Sequence, residues 1–287
     1  MFKKKNEEHS MLKLLTGLLL LLVGPSLFAT NIEYGNGDFE LKADFDGYTT
    51  KLHNDVSTYS LVEHHKNLFN SSWFYKYNFT WYTSKTLQKL TNTIETNIPS
   101  GFSSYDYKLK GLDVNAVLGK DIYHKNKTNF IGLGLLIGLS TPIIQGLDNN
   151  SSSGSSKNSN TNILSYKIGP SISVEWNQNK YIMLYASAAY AYQMLRVKNS
   201  NLHLNTQLNG TFEKYDAGVK IQPFSMEYHT KYMTFSPDIY ATFGYRYTHW
   251  DLDDMTINFD NNNLALNNVH FTTTASVYYF GIGYDFF

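Results

Sequence analysis

Several groups of residues in this 287-residue chain have the types and spacing for chemistry. Asp44-Phe45-Asp46 and Asp251-Leu252-Asp253 each set two carboxylates two positions apart, and His249 stands two before Asp251. A correctly placed His–Asp pair can activate water for hydrolysis. Here the order is His-x-Asp, and His249 shares the parity of Tyr247 on the apolar side of its segment. Glu63-His64-His65 suggests a metal, but adjacent histidines on a strand point to opposite faces. Asp251, Asp253, Asp254 and Asp260 offer oxygen ligands to a hard cation without the glycine and final glutamate of an EF-hand loop. Gly132-x-Gly134-x-x-x-Gly138 lies inside an apolar run, and Gly119-Lys120 has neither the upstream glycine nor the following Ser/Thr of a phosphate loop. The chain has no cysteine, which removes disulfides, thiolate metal sites and thiol nucleophiles. No catalytic set, cofactor or metal site is assigned. Asp148-Asn149-Asn150-Ser151-Ser152 has the form of an acidic-extended N-glycosylation sequon with Asn150 as acceptor.

The elements that carry these residues have a period of two. Leu164, Tyr166, Ile168, Pro170, Ile172, Val174 and Trp176 alternate with Ser165, Lys167, Gly169, Ser171, Ser173 and Glu175. Phe235 to Tyr247 and Trp73 to Trp81 alternate in the same way, and so does the end of the chain, where Tyr278, Phe280, Ile282, Tyr284 and Phe286 share one face. The longer of these runs exceed the 5–6 residues usual for a soluble strand, and a tilted membrane strand needs roughly 9–11. The polar face is made of Gly, Ser, Thr and charge, and the apolar face ends in Trp and Tyr, so the oily side is expected to point outward.

The first residues read as an export signal. Lys3, Lys4, Lys5 and Lys13 precede the run Leu14–Val23, and Ser26-Leu27-Phe28-Ala29 offers a cleavage point after Ala29. Mean hydropathy is −0.34, as it would be when only alternate strand residues meet lipid. Aromatic residues make up 16%, enough for two interfacial belts. The formal charge is zero, which recommends no nucleic-acid partner.

A signal, long alternating strands and an aromatic C-terminal strand together resemble the Gram-negative outer-membrane β-barrels. The resemblance implies an all-β, antiparallel, up-and-down transmembrane barrel over 30–287 after a signal at 1–29, with ten strands, or eight if the first hairpin lies outside the wall. It implies contact with outer-membrane lipid and lipopolysaccharide. It also implies recognition by the barrel-assembly machinery through the last strand, although Phe286 and not Phe287 shares the apolar face. The chain is similar to omptin proteases in signal, size and strand count, but their Asp-x-His pair has no counterpart here. Short periplasmic turns and long outer loops place outer loops near 85–102, 142–162, 197–208 and 252–267. A parity change between Tyr105, Tyr107 and Leu112, Val114 predicts a bulge at Gly111.

With the apolar face in lipid, the lumen is expected to hold Glu40, Lys42, Asp44, Lys76, Lys167, Glu175, Asp216, Lys220, Asp238 and Arg246, with Asp113 and Lys214 among them. Lipid is expected to meet Tyr166, Ile168, Ile172, Val174, Trp176, Phe243, Tyr245, Phe280, Ile282, Tyr284 and Phe286. Glycines such as Gly244 and Gly281 are expected to leave room for large side chains from the facing wall. A small barrel with balanced internal charge fills itself. The expected function is a non-enzymatic surface or envelope barrel. A narrow solute channel is the alternative, and a barrel hydrolase comes third.

Overall fold

A computed structural model describes residues 31–45, 48–67, 71–84, 88–89, 105–123, 129–141, 143–148, 159–199, 204–224, 226–229, 234–236, 238–259 and 264–284. Ten long strands form one closed antiparallel barrel. They are β1 (Asn31–Phe45), β2 (Tyr48–Asn67), β3 (Trp73–Ser84), β4 (Tyr105–Asp121) and β5 (Asn129–Ser140, continued by Ile143–Asp148). The circuit continues with β6 (Ser159–Asn177), β7 (Ile182–Asn199), β8 (Leu204–Ile221), β9 (Ile239–Phe259) and β10 (Leu264–Tyr284). Each strand pairs with its sequence neighbour, and β1 pairs with β10 from Asn31↔Gly283 to Asp44↔His270, which closes the ring. The first hairpin is therefore in the wall, and ten strands replace the alternative of eight. Closure leaves no long edge of free N–H and C=O groups, the condition for crossing a bilayer with strands.

One end of the barrel, called lower here, carries Asn31 and Tyr284 and the connections after β2, β4, β6 and β8. In the lower and middle barrel the outer face is apolar. Ile32, Leu61, Phe79, Leu133, Leu135 and Leu184 are exposed there. Exposed Trp73 and Trp176 stand near the lower ends of their strands. Higher up, Tyr34 pairs in register with Tyr59, and Tyr59 with Trp81; Tyr34 and Tyr59 have ring centroids 5.4 Å apart. The Tyr245 and Tyr278 centroids are 5.0 Å apart. Two aromatic levels bracketing an oily band match the interfacial girdles of a membrane barrel.

Above the upper aromatic level the pattern turns inside out. On β1, Asn31 and Glu33 point inward and Ile32 and Tyr34 outward, but farther along Phe39 is buried inside with Val56, Tyr82, Leu109 and Val277. Glu40, Lys42 and Asp44 share the outward parity of Ile32 and so stand on the outside, which corrects their expected place in the lumen. Lys42 pairs with Asp44 at 2.6 Å and Lys51 with Glu40 at 3.4 Å, all four side chains about a third exposed or more. The reason is the solvent. Beyond the oily band the outer surface meets water, so charge goes out and apolar side chains gain by going in.

The same switch explains β4. Its register with β3 runs unbroken from Trp73↔Lys120 to Thr83↔Lys110, and the pairing Asp113↔Ser140 continues in step to Lys110↔Ile143. No register shift falls at Gly111, so the expected bulge is replaced by an uninterrupted ladder whose apolar face changes sides. Leu118 faces out, while Leu109 is fully buried inside. Leu195, Val197, Leu208 and Leu252 form a second internal cluster at the upper level.

Among the described residues, the upper strands run on into the segments 142–162, 197–208 and 252–267 expected to be loops, while nearly all of 85–102 lies outside the described residues. β9 and β10 pair as far as Phe259↔Leu264, and β7 and β8 as far as Asn199↔Leu204. Ile143–Asp148 pairs with β4, and Ile143–Gly146 also pairs with β6. Strands of 18–21 residues are about twice what a bilayer needs. The signal segment 1–29, the Asn150 sequon, Asp46, Asp285 and Phe286 lie outside the described residues.

Candidate functional site

Midway along the lumen a polar layer draws on every strand of the wall. Arg246 on β9 donates through Nη2 to Glu33 Oε2 on β1 at 2.9 Å and through Nε to Asp216 Oδ2 on β8 at 2.8 Å. Its Nη1 reaches Ser60 Oγ on β2 at 3.4 Å, and its guanidinium lies 4.6 Å from the ring centre of Tyr279 on β10. Tyr279 Oη donates to Asp216 Oδ1 at 2.5 Å and meets Tyr185 Oη of β7 at 2.8 Å. On the other side of the lumen, Lys167 of β6 pairs with Asp113 of β4 and donates to Ser140 Oγ of β5 at 2.7 Å. Asp113 also accepts from Ser140 and, at 2.5 Å, from Asn115 Nδ2. The Lys167 ammonium sits 3.9 Å from the centre of the Phe212 ring. Lys214 of β8 donates to Asn78 Oδ1 of β3 at 3.0 Å, and β3 and β8 are diametrically opposed in the ring of ten.

Burying such ions demands opposite charge and full hydrogen bonding. Lys167, Glu33 and Arg246 are 2%, 1% and 6% exposed, and each has a counter-ion in contact. Glycines give the two tyrosines their positions. A Cβ on Gly218 would collide with the Tyr185 hydroxyl, and one on Gly244 with the Tyr279 hydroxyl. The ring over each glycine comes from its register partner on the neighbouring strand, and not from the facing wall as expected. That contact brings both hydroxyls together over Asp216.

The layer separates two cavities. The upper one has a volume of about 80 Å³, on a scale where a single water requires roughly 10–15 Å³. Phe39, Leu41, Leu109, Leu195, Leu252 and Val277 form much of its wall, and Asp113, Lys214 and Arg246 lie at its floor. The lower cavity, about 40 Å³, is lined by Lys76, Glu175, Asn78, Asn115, Ser171 and Asp216, and again by Lys214. Lys76 donates to Ser173 Oγ there at 3.2 Å. What the arrangement displays is charge pairing among buried groups.

No protein-family model matches the chain, and no curated protein matches it. Solved structures do. The outer-membrane protease OmpT from Escherichia coli aligns with a TM-score of 0.50 over 89% of this chain and 96% of that one, at 9% identity. The fold is that of the outer-membrane β-barrels. The translocator domain of autotransporter NalP from Neisseria meningitidis aligns over 98% of both chains at 11% identity, with a TM-score of 0.38. Ail, the attachment invasion locus protein of Yersinia pestis, aligns over 90% of this chain and 99% of that one at 12% identity, with a TM-score of 0.27.

Within this outer-membrane barrel fold, Lys76, Lys167, Glu175, Asp216 and Arg246 lie in the lumen with Asp113 and Lys214. Lys220 packs 3.9 Å over Tyr240 near the lower end. Asp238 sits in the lower turn before β9, where it accepts from Ser236 Oγ at 2.7 Å and Tyr284 Oη at 3.2 Å. That turn is tied to β10 and is not part of the mid-lumen layer, because the strand begins only at Ile239. On the outer wall Ile168, Ile172, Trp176, Phe243, Tyr245, Phe280 and Ile282 are exposed, and Tyr166, Val174 and Tyr284 are partly covered.

Sequence reading did not place Glu33 among the charges of the lumen. The alternation of Asn31, Glu33 and Gly35 with Ile32, Tyr34 and Asn36 carries the signal. It also missed a His–Asp pair at the upper rim. His270 Nε2 lies 3.1 Å from Asp251 Oδ1 across β9 and β10, on the outer face. Asp44 is the register partner of His270, and hydrogen bonds from Lys42 and from Thr49 (2.5 Å) hold its carboxyl below the usual range.

Proposed function

We propose that the protein is a closed, non-enzymatic barrel of a bacterial outer membrane, made with a cleaved signal at 1–29, which acts through the part standing above the bilayer. The observation that carries this reading is the polar layer, with Lys214 and Asn78 joined across the full diameter of the ring. A lumen crossed by hydrogen-bonded ions has no continuous water column for solute. Lipid and lipopolysaccharide would meet the aromatic band, and the assembly machinery would take the C-terminal strand. The long upper hairpins, charged outside and packed inside, give the surface on which contacts are made.

The His270–Asp251 pair supports a hydrolase reading less well. Both side chains are more than a third exposed on the outer wall, where an ion pair is screened by water. The narrow channel keeps one observation in its favour, since Lys214 borders both cavities. Planar-bilayer recording on purified protein separates the readings. The closed barrel gives no discrete current steps; reproducible unitary steps from wild type would overturn it.

A further inference from the structure

The upper cavity has the chemistry of a binding site, not of mere filling. Its wall is apolar in the part of the barrel whose outside is charged, so oily side chains here surround an open space above a polar floor. At the floor, three ion pairs satisfy five charged groups by contact. Arg246 holds Glu33 and Asp216, and Asp113 holds Lys167. Lys214 differs. Among the described residues its ammonium makes one hydrogen bond, to an amide oxygen, and no ion pair. Asn78, which accepts that bond, has a buried Nδ2 without a partner. The charges of the layer balance in number, but this cation stands out of contact with any carboxylate. A buried ammonium in that state is stabilised by an anion brought to it.

We propose that the upper chamber binds a single-chain apolar carboxylate, its tail among Phe39, Leu41, Leu109 and Leu252 and its carboxylate on Lys214. The wall supplies affinity through removal of apolar area from water, and the ammonium supplies the preference for an acid over a neutral or cationic head. The site rests on the closed-barrel reading only for its floor. A current through the lumen and a head-group preference are separate observations, so either can fail alone.

Isothermal titration of the full barrel in lipid nanodiscs with octanoate at neutral pH, against empty nanodiscs, tests this. Octanoate should bind saturably at one per barrel, octanol at least tenfold more weakly, and octylamine not at all. Lys214→Met should bring octanoate down to the level of octanol. Val56→Phe, which fills the cavity from a side chain 1% exposed, should abolish both. Circular dichroism establishes that each variant is folded. Heat no different from empty nanodiscs would overturn the site. Octanol or octylamine binding as tightly as octanoate to wild type would overturn the role of Lys214 without any variant.

Discussion

Arg246 is held between two carboxylates and is only 6% exposed. Replacing it with methionine takes the counter-charge from Glu33 and Asp216 and should cost about 3–5 kcal/mol in urea unfolding from lipid. Combining Arg246→Met with Glu33→Gln should recover part of that loss, because one buried charge goes with the other. The rim behaves differently. His270→Ala and Asp251→Asn remove a pair 36% and 40% exposed, and either should change stability by less than about 1 kcal/mol. Asp44 adds a small pH dependence. Its carboxyl is depressed by Lys42 and Thr49, so its contribution is present above the ordinary Asp range and is lost as pH falls through the lower folded value. At one-third exposure that contribution stays below about 1 kcal/mol, and Lys42→Met should remove the acid-side slope in a stability titration.

At the scale of the strand, the decisive fact is that one side of β1 is not oily along its whole length. Phe39→Ser should cost about 2–4 kcal/mol, since a buried aromatic leaves a cavity beside Val56 and Tyr82. Glu40→Ser, one residue on, should fall within about 0.5 kcal/mol. Equilibrium unfolding of the two variants reads the face directly. The strands themselves were legible in the sequence, because Tyr166 to Trp176 and Phe243 to Tyr247 alternate within the oily band, where one rule holds. The lumen pairs on β4, β6, β8 and β9 followed from the same parity. What parity alone could not give was Glu40, Lys42 and Asp44, or the unbroken ladder at Gly111. Both lie where the chain leaves the oily band, and a change of solvent reverses the pattern just as a bulge would. The upper hairpins were hidden for a related reason. The Asp- and Asn-rich segment 252–267 reads as loop by composition, whereas the pairing that keeps much of this stretch in strand comes from the neighbour across the ladder.

The molecule as a whole has two interiors in series on a single continuous ten-stranded wall: one inside the oily band, where an ionic layer meets a buried apolar cluster that includes Phe74, Phe130 and Phe212, and an apolar one above it. Its upper chamber and the charge on its outer rim both follow from where the surrounding solvent changes. The chain has no native cysteine, so single cysteines can be placed along β1 and spin-labelled without background. Electron paramagnetic resonance in lipid vesicles then compares collisions with oxygen, which concentrates in the bilayer, and with a water-soluble nickel chelate. Labels at Ile32→Cys and Tyr34→Cys should favour oxygen. Labels at Glu40→Cys and Lys42→Cys should favour nickel, and one at Phe39→Cys should be shielded from both. Oxygen contact at position 39, with position 40 shielded, would contradict the reversal of faces on which the account stands.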